Sequence, residues 1–222
     1  MIGIDVLPDD VLLEIFDLYM LVMVQSYGRL GVEAWQWLIK VCGRWRNVVF
    51  ESPRRLNLRL HCTPETPAKD GLDVWPALPL VIAGMEPSSG TDNVVAALRE
   101  SNRVRQVNLD LAGWQWEEVF TPMQVSSPEL TELRLMSNDK WLTPYSNTPV
   151  IPDSFLGGSA PRLRFLSLHS VIFPGLPKLL LSATQLVEFY LHDCGYISPG
   201  AIVAHLSALS GLEVLHLLSL YP

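Results

Sequence analysis

Five histidines (His61, His169, His192, His205 and His216) and three cysteines (Cys42, Cys62 and Cys194) are the side chains best suited to acid–base, nucleophilic or metal chemistry. Their spacing supports little of it. His61 and Cys62 are adjacent, and two neighbours alone cannot chelate one ion. No CxxC pair or HExxH occurs, so no metal is expected. No GxGxxG or GxxxxGK[ST] phosphate loop and no GxSxG elbow is present, and Gly157-Gly158-Ser159-Ala160-Pro161 reads as a turn. No cofactor and no catalytic residue are therefore expected. His169 and His192 stand apart, because they hold equivalent places in two similar segments, Leu163–His169 and Leu186–His192. A stacked His–His pair reads either as a catalytic or metal site or as part of a partner-binding face. The aromatic company of Phe165, Tyr190 and His216 favours the face.

These residues are positioned by a repeat. Val104–Leu109, Leu130–Leu135, Leu163–Leu168, Leu186–Leu191 and Leu212–Leu217 each fit LxxLxL with apolar substitutions. Three of the four intervals between their starts fall within the about 20–29 of leucine-rich repeats. The longest, from Leu130 to Leu163, carries an insertion over Ser137–Pro152. A helix is expected before each strand: Thr91–Glu100, Trp114–Phe120, Pro152–Leu156, Pro174–Leu181 and Pro199–Leu209. Trp114 and Trp116 cannot share one narrow face, so one is expected in the core and the other at the surface. One strand–helix unit cannot bury its own apolar side, so such units stack. The expected class is α+β to α/β, with a helical N-terminal module and then a short solenoid of parallel strands with helices on the convex side. In each strand the residues flanking the leucines point away from them. The concave columns are then Gln106-Asn108-Asp110, Glu132-Arg134-Met136, Phe165-Ser167-His169, Glu188-Tyr190-His192 and Val214-His216-Leu218. Glu132, Arg134, Phe165, His169, Tyr190, His192 and His216 are the candidates for holding a substrate protein.

Residues 1–52 read differently. Leu7-Pro8-Asp9-Asp10 starts a helix, with proline in the first turn and acids at its positive end. Apolar residues at 11, 12, 15, 16, 18, 19 and 22 follow at helical spacing. A second helical stretch is expected over Val32–Phe50, with a break at Gly43, ending before Pro53. Residues 53–90 form a linker with irregular strands: Leu56, Leu58 and Leu60 alternate with polar residues, and Leu78–Ile82 is a second strand interrupted by Pro79. Residues 91–222 hold the repeats. Only Ser219-Leu220-Tyr221-Pro222 follow the last repeat strand, so either a truncated product or a contact covering Leu215, Leu217, Leu218 and Leu220 is expected.

Composition narrows the function. Of 222 residues, 49% are hydrophobic, 18% are charged and 37 are leucine, which excludes a disordered chain. The net charge of −7 lies wholly in residues 61–222, with nine basic and sixteen acidic residues against seven of each in residues 1–60. Without a basic field, nucleic acid is not an expected partner. In residues 1–60 the acids come first (Asp5, Asp9, Asp10, Glu14, Asp17) and the bases last. Arg44, Arg46, Arg54 and Arg55 read as a solvated helix end balancing the dipole. The longest apolar run, Leu18–Val24, is far short of the about 20 residues that span a bilayer, so no membrane is expected. Three widely spaced cysteines without a disulfide framework, and an acidic start without a leader pattern, make the inside of the cell, cytoplasm or nucleus, the expected compartment.

Leu7-Pro8-Asp9-Asp10-Val11-Leu12-Leu13-Glu14-Ile15-Phe16 resembles the opening of the F-box motif, LPxxxLLxIF. Trp37 to Arg46 resembles its second half, LxxVCxxWR, and Ser52–Leu58 is similar to the continuation in many fungal F-box proteins. Phe16 and Trp45 are separated by a longer stretch of chain than in the compact motif. The extra residues, Met20–Val32, make either a longer first helix or an inserted loop. The resemblance implies a non-catalytic substrate receptor of an SCF-type cullin-RING ubiquitin ligase. It would bind the ligase adaptor through Leu7, Pro8, Leu12, Ile15, Phe16, Leu38, Val41, Cys42 and Trp45, and a substrate protein through the repeats. Cys42 is expected to be a small buried residue. The competing reading is a leucine-rich-repeat scaffold without a ligase role.

Overall fold

The structure, a computed structural model, describes residues 7–27, 34–73, 76–85, 90–138, 148–195, 206–207 and 209–218. The chain divides into two compact units, Met1–Leu60 and His61–Pro222.

The first unit is helical. Helix α1 (Asp9–Tyr27) opens with Asp9 and Asp10 in its first turn, and Leu12 N–H donates to the Pro8 carbonyl at 3.1 Å. It runs well past Met20, so the extra length between Phe16 and Trp45 is in part a longer helix. Residues 28–33 lie outside the described residues. The second stretch splits into α2 (Trp35–Leu38) and α3 (Gly43–Glu51). The break comes because Cys42 is extended (φ −160°, ψ 169°) and caps α3, its sulfur accepting from Trp45 N–H at 3.5 Å. Leu12, Phe16, Trp35, Leu38, Val48 and Val49 are buried. Trp35 meets Phe50 edge-on at 6.0 Å, and its indole N–H donates to the Arg59 carbonyl at 3.1 Å.

The charge order of this unit has a structural cause. Arg44 pairs with Asp9 (Nη2–Oδ1, 2.6 Å) and also donates to the Leu7 carbonyl, while Arg55 pairs with Glu14 and with Asp17 (Nε–Oδ2, 3.2 Å). The dipole reading is corrected for Arg44 in particular. It sits in the first turn of α3, the positive end, where a cation gains nothing from the dipole. The acids of α1 hold these bases instead.

Leu56, Leu58 and Leu60 are all buried, but the expected strand over them is not there. Asn57 has φ +48°, a left-handed conformation that interrupts an extended chain, and Leu58 N–H turns back to the Pro53 carbonyl at 2.9 Å. The strand begins only at Leu60.

The second unit is α/β. Among the described residues seven strands form one sheet in the order β1 (Leu60–Cys62), β2 (Leu80–Met85), β3 (Val104–Leu111), β4 (Glu132–Ser137), β5 (Phe165–His169), β6 (Glu188–His192) and β7 (Val214–Leu218). From β2 to β7 each strand pairs parallel with the next. β2 starts after Pro79, which has no N–H to give a ladder. The helices are α4 (Ala68–Gly71), α5 (Asp92–Arg99), α6 (Trp116–Phe120) and α7 (Leu176–Ser182). The helix expected at Pro152–Leu156 is only a 3-10 turn over Phe155–Gly158, where Leu156 and Gly157 have positive φ. The one expected over Pro199–Leu209 lies almost wholly outside the described residues, as do residues 139–147 of the insertion.

One sheet face is core. Ile82, Val107, Leu109, Leu133, Leu135, Leu166, Leu168, Phe189 and Leu191 are buried there, together with Val94, Leu98, Val119, Leu176 and Leu179 of the helices. An aromatic series continues the core: Trp116–Phe120 at 5.1 Å, Phe120–Phe155 at 6.1 Å and Phe155–Phe173 at 5.4 Å between ring centroids. Trp116 is buried and Trp114 exposed, the division expected from their spacing. On β7, Leu215 and Leu218 are exposed and Leu217 is half-buried, while Leu220 lies outside the described residues.

Candidate functional site

The parallel register assembles the sheet's other face into three rows. Gln106, Glu132, Phe165, Glu188 and Val214 are successive partners; so are Asn108, Arg134, Ser167, Tyr190 and His216; and so are Asp110, Met136, His169, His192 and Leu218. Together they hold the same residues as the five concave columns read from the LxxLxL spacing, one column from each strand. A strand alternates its side chains, so leucines on the core face require that these residues share the opposite one.

The rows are chemically graded. Gln106 Nε2 donates to Glu132 at 2.6 Å. The Arg134 guanidinium lies 5.1 Å from the Phe165 ring centroid, Phe165 lies 5.5 Å from Tyr190, and Tyr190 stacks on His216 at 5.8 Å. This gives a continuous cation–aromatic strip across β4 to β7. Tyr190 O–H donates to the Glu188 carboxylate at 2.9 Å. That hydrogen bond, helped by burial and by the negative charge of Glu188, holds the phenol above its ordinary pKa. In the third row the rings of His169 and His192 meet edge to face, with centroids 4.2 Å apart and planes at 84°. Asp193, which the sequence reading did not single out, places Oδ2 3.0 Å from His192 Nδ1 and 4.0 Å from His169 Nε2.

Asp193 was hidden because its neighbour His192 is on a strand, and the next residue in a strand points to the opposite face. Asp193 escapes this by leaving the strand with φ +54°. The available signal was the dipeptide His192-Asp193 at a repeat-strand end, since aspartate adopts the left-handed region more readily than most residues.

A second candidate surface belongs to the helical unit. Val11, Ile15, Leu18 and Val22 are all exposed and recur at helical spacing, so they form one apolar stripe on α1. On α2 Trp37 (62% exposed) and just beyond it Val41 (57%) are also open, and Lys40 Nζ lies 4.8 Å from the Trp37 ring centroid. Of the residues expected to meet an adaptor, Ile15, Val41 and Pro8 are exposed, and Leu7, Cys42 and Trp45 are half-buried. Cys42 is thus a half-exposed helix cap rather than a buried filler. Leu12, Phe16 and Leu38 are interior, because the face of α1 that carries Leu12 and Phe16 closes the unit's own core. They support a surface and do not form it.

Comparison with protein-family models, with curated proteins and with solved structures gives no match. The geometry itself defines a class: an α/β protein built on a seven-stranded parallel sheet, with one polar–aromatic sheet face. Among the described residues no helix is long and apolar enough to cross a membrane.

Proposed function

We propose that the chain is a non-catalytic substrate receptor of an SCF-type cullin-RING ubiquitin ligase. In this reading residues 1–52 are an F-box module that docks the ligase adaptor, and the sheet of the second unit is a short leucine-rich-repeat solenoid that holds a substrate protein. The observation that carries it is the apolar stripe Val11-Ile15-Leu18-Val22, left open on a helix that directly follows the F-box-like Leu7-Pro8. Exposing four aliphatic side chains in line is costly in water, and a contiguous patch of this kind marks a protein contact. Trp37 and Val41 come from the second half of the same motif and are open as well.

The sheet face supports the other half of the reading. Its strip of Arg134, Phe165, Tyr190 and His216 offers large rings open to solvent in part or in full, and a cation, the side chains that dominate protein interfaces. Such a face binds by contact and needs no reacting group. Titration calorimetry of the whole chain against the adaptor tests the proposal. Saturable binding that Ile15→Asp abolishes, with the fold intact, supports it; no binding by folded chain rejects it in favour of an interaction scaffold.

A further inference from the structure

We propose that His169, His192 and Asp193 form a binding site for a divalent transition-metal ion of the zinc class, open on the polar–aromatic face of the sheet. The proposal is independent of the adaptor reading. The ligand atoms of the three residues lie within 4.8 Å of one another. Tetrahedral zinc with bonds of about 2.0–2.2 Å keeps its ligand atoms roughly 3.3–3.5 Å apart. The separations of 3.0 Å (His192 Nδ1 to Asp193 Oδ2) and 4.0 Å (His169 Nε2 to the same oxygen) bracket that value. Small rotations of half-exposed rings close the difference. Two imidazoles and one carboxylate suit a borderline ion, whereas calcium and magnesium take oxygen donors.

Two further features point to a ligand. His192 Nδ1 is buried and, among the described residues, makes no hydrogen bond despite its nearness to the carboxylate. A ring nitrogen lone pair and a carboxylate oxygen at that separation repel unless a proton or a cation lies between them. The second feature is the backbone. Asp193 turns its carboxylate onto the histidines only by adopting φ +54°, and the turn is held by Asp193 N–H donating to the Leu218 carbonyl at 3.1 Å. The Cys194 thiol beside it donates to the Leu168 carbonyl at 3.2 Å and the His192 carbonyl at 3.3 Å. Ser170 has the same φ of +54° at the end of β5, so the bend recurs from strand to strand. Only after β6 does the bend carry a carboxylate. Three protein ligands would leave a fourth position for water or for a donor from a bound protein.

The test is calorimetric titration of the metal-stripped full chain, free of any affinity tag, with zinc chloride, and with cobalt(II) followed by its visible absorption. The expected result is saturation at one ion per chain and a cobalt spectrum of low coordination number. His169→Gln, His192→Gln and Asp193→Asn should each remove that saturation in the same concentration range, with circular dichroism and melting temperature unchanged. Asparagine is chosen because it tolerates positive φ. His216→Gln, on the same face but outside the cluster, should bind as the parent does. Absence of saturable binding by the parent, or binding that survives His192→Gln and Asp193→Asn, overturns the proposal, the second result placing the ion elsewhere. Were the three variants to lose their fold, the cobalt spectrum of the parent decides: an octahedral, water-like spectrum overturns the site.

Discussion

The rings of Phe16 and Trp45 pack with centroids 4.7 Å apart and planes tilted by 59°. One lies on α1 and the other on α3, with the whole of α2 between them in the chain. This contact closes the helical unit on one side of α1 and leaves the stripe of Val11, Ile15, Leu18 and Val22 open on another. The residues that close the unit and the open stripe proposed to meet a partner thus lie on different faces of one helix.

Phe16→Ala and Leu12→Ala should each destabilise the helical unit by about 2–5 kcal/mol, because both side chains are fully buried. Ile15→Ala, at 39% exposure, should cost much less. Urea denaturation followed by tryptophan fluorescence checks this, and equal losses at positions 15 and 16 would contradict the assignment of faces.

The two faces of the sheet should separate in the same way. Phe189→Ala removes a fully buried ring from the core face and should cost about 3–5 kcal/mol. Phe165→Ala and Tyr190→Ala, on the open face, should leave the melting temperature close to that of the parent. The opposite ranking would mean that the strands had slipped by one residue, since such a slip exchanges the faces.

Gly84 lies on β2 opposite Leu109. A Cβ there would come within 3.2 Å of Leu109 Cδ2 and 3.7 Å of Pro64 Cγ. Gly84→Val should therefore overpack the core and destabilise by about 1–3 kcal/mol. Chemical denaturation of this variant reads the effect directly.

Tyr190 gives a pH signature. Its hydrogen bond to Glu188 favours the neutral phenol, so its pKa is raised above the ordinary value of about 10. The sign follows: the stabilisation is fully present below the unfolded pKa of about 10 and is lost as pH rises through the higher folded value. The difference in phenolate absorbance between the parent and Tyr190→Phe should rise later than that of a free tyrosine. Glu188→Gln should bring it back toward the ordinary range.

Much of the sheet was legible because period and spacing carry it. Leucines at LxxLxL define one face, and the rows from Gln106 to Val214, from Asn108 to His216 and from Asp110 to Leu218 follow by alternation. Left-handed residues were not legible. Nothing in the alternation of Leu56, Leu58 and Leu60 reveals that Asn57 has φ +48°, nor does His192 reveal that Asp193 turns back toward it. Exposure was the other gap. Val11, Leu12, Ile15 and Phe16 are equally apolar, and helical spacing alone does not say which pair meets the core. That is settled by where α2 and α3 pack, a tertiary matter. Asp9–Arg44 and the pairs of Arg55 appear in the sequence only as acids preceding bases.

The central claim is that the helical unit docks a ligase adaptor through its open apolar stripe. Titration calorimetry of the intact chain against the adaptor, beside Ile15→Asp and Val41→Asp, tests it most directly. Saturable one-to-one binding by the parent is expected, with marked weakening in both variants and no loss of melting temperature. No heat of binding from folded parent chain, or equal affinity in parent and variants, would contradict it.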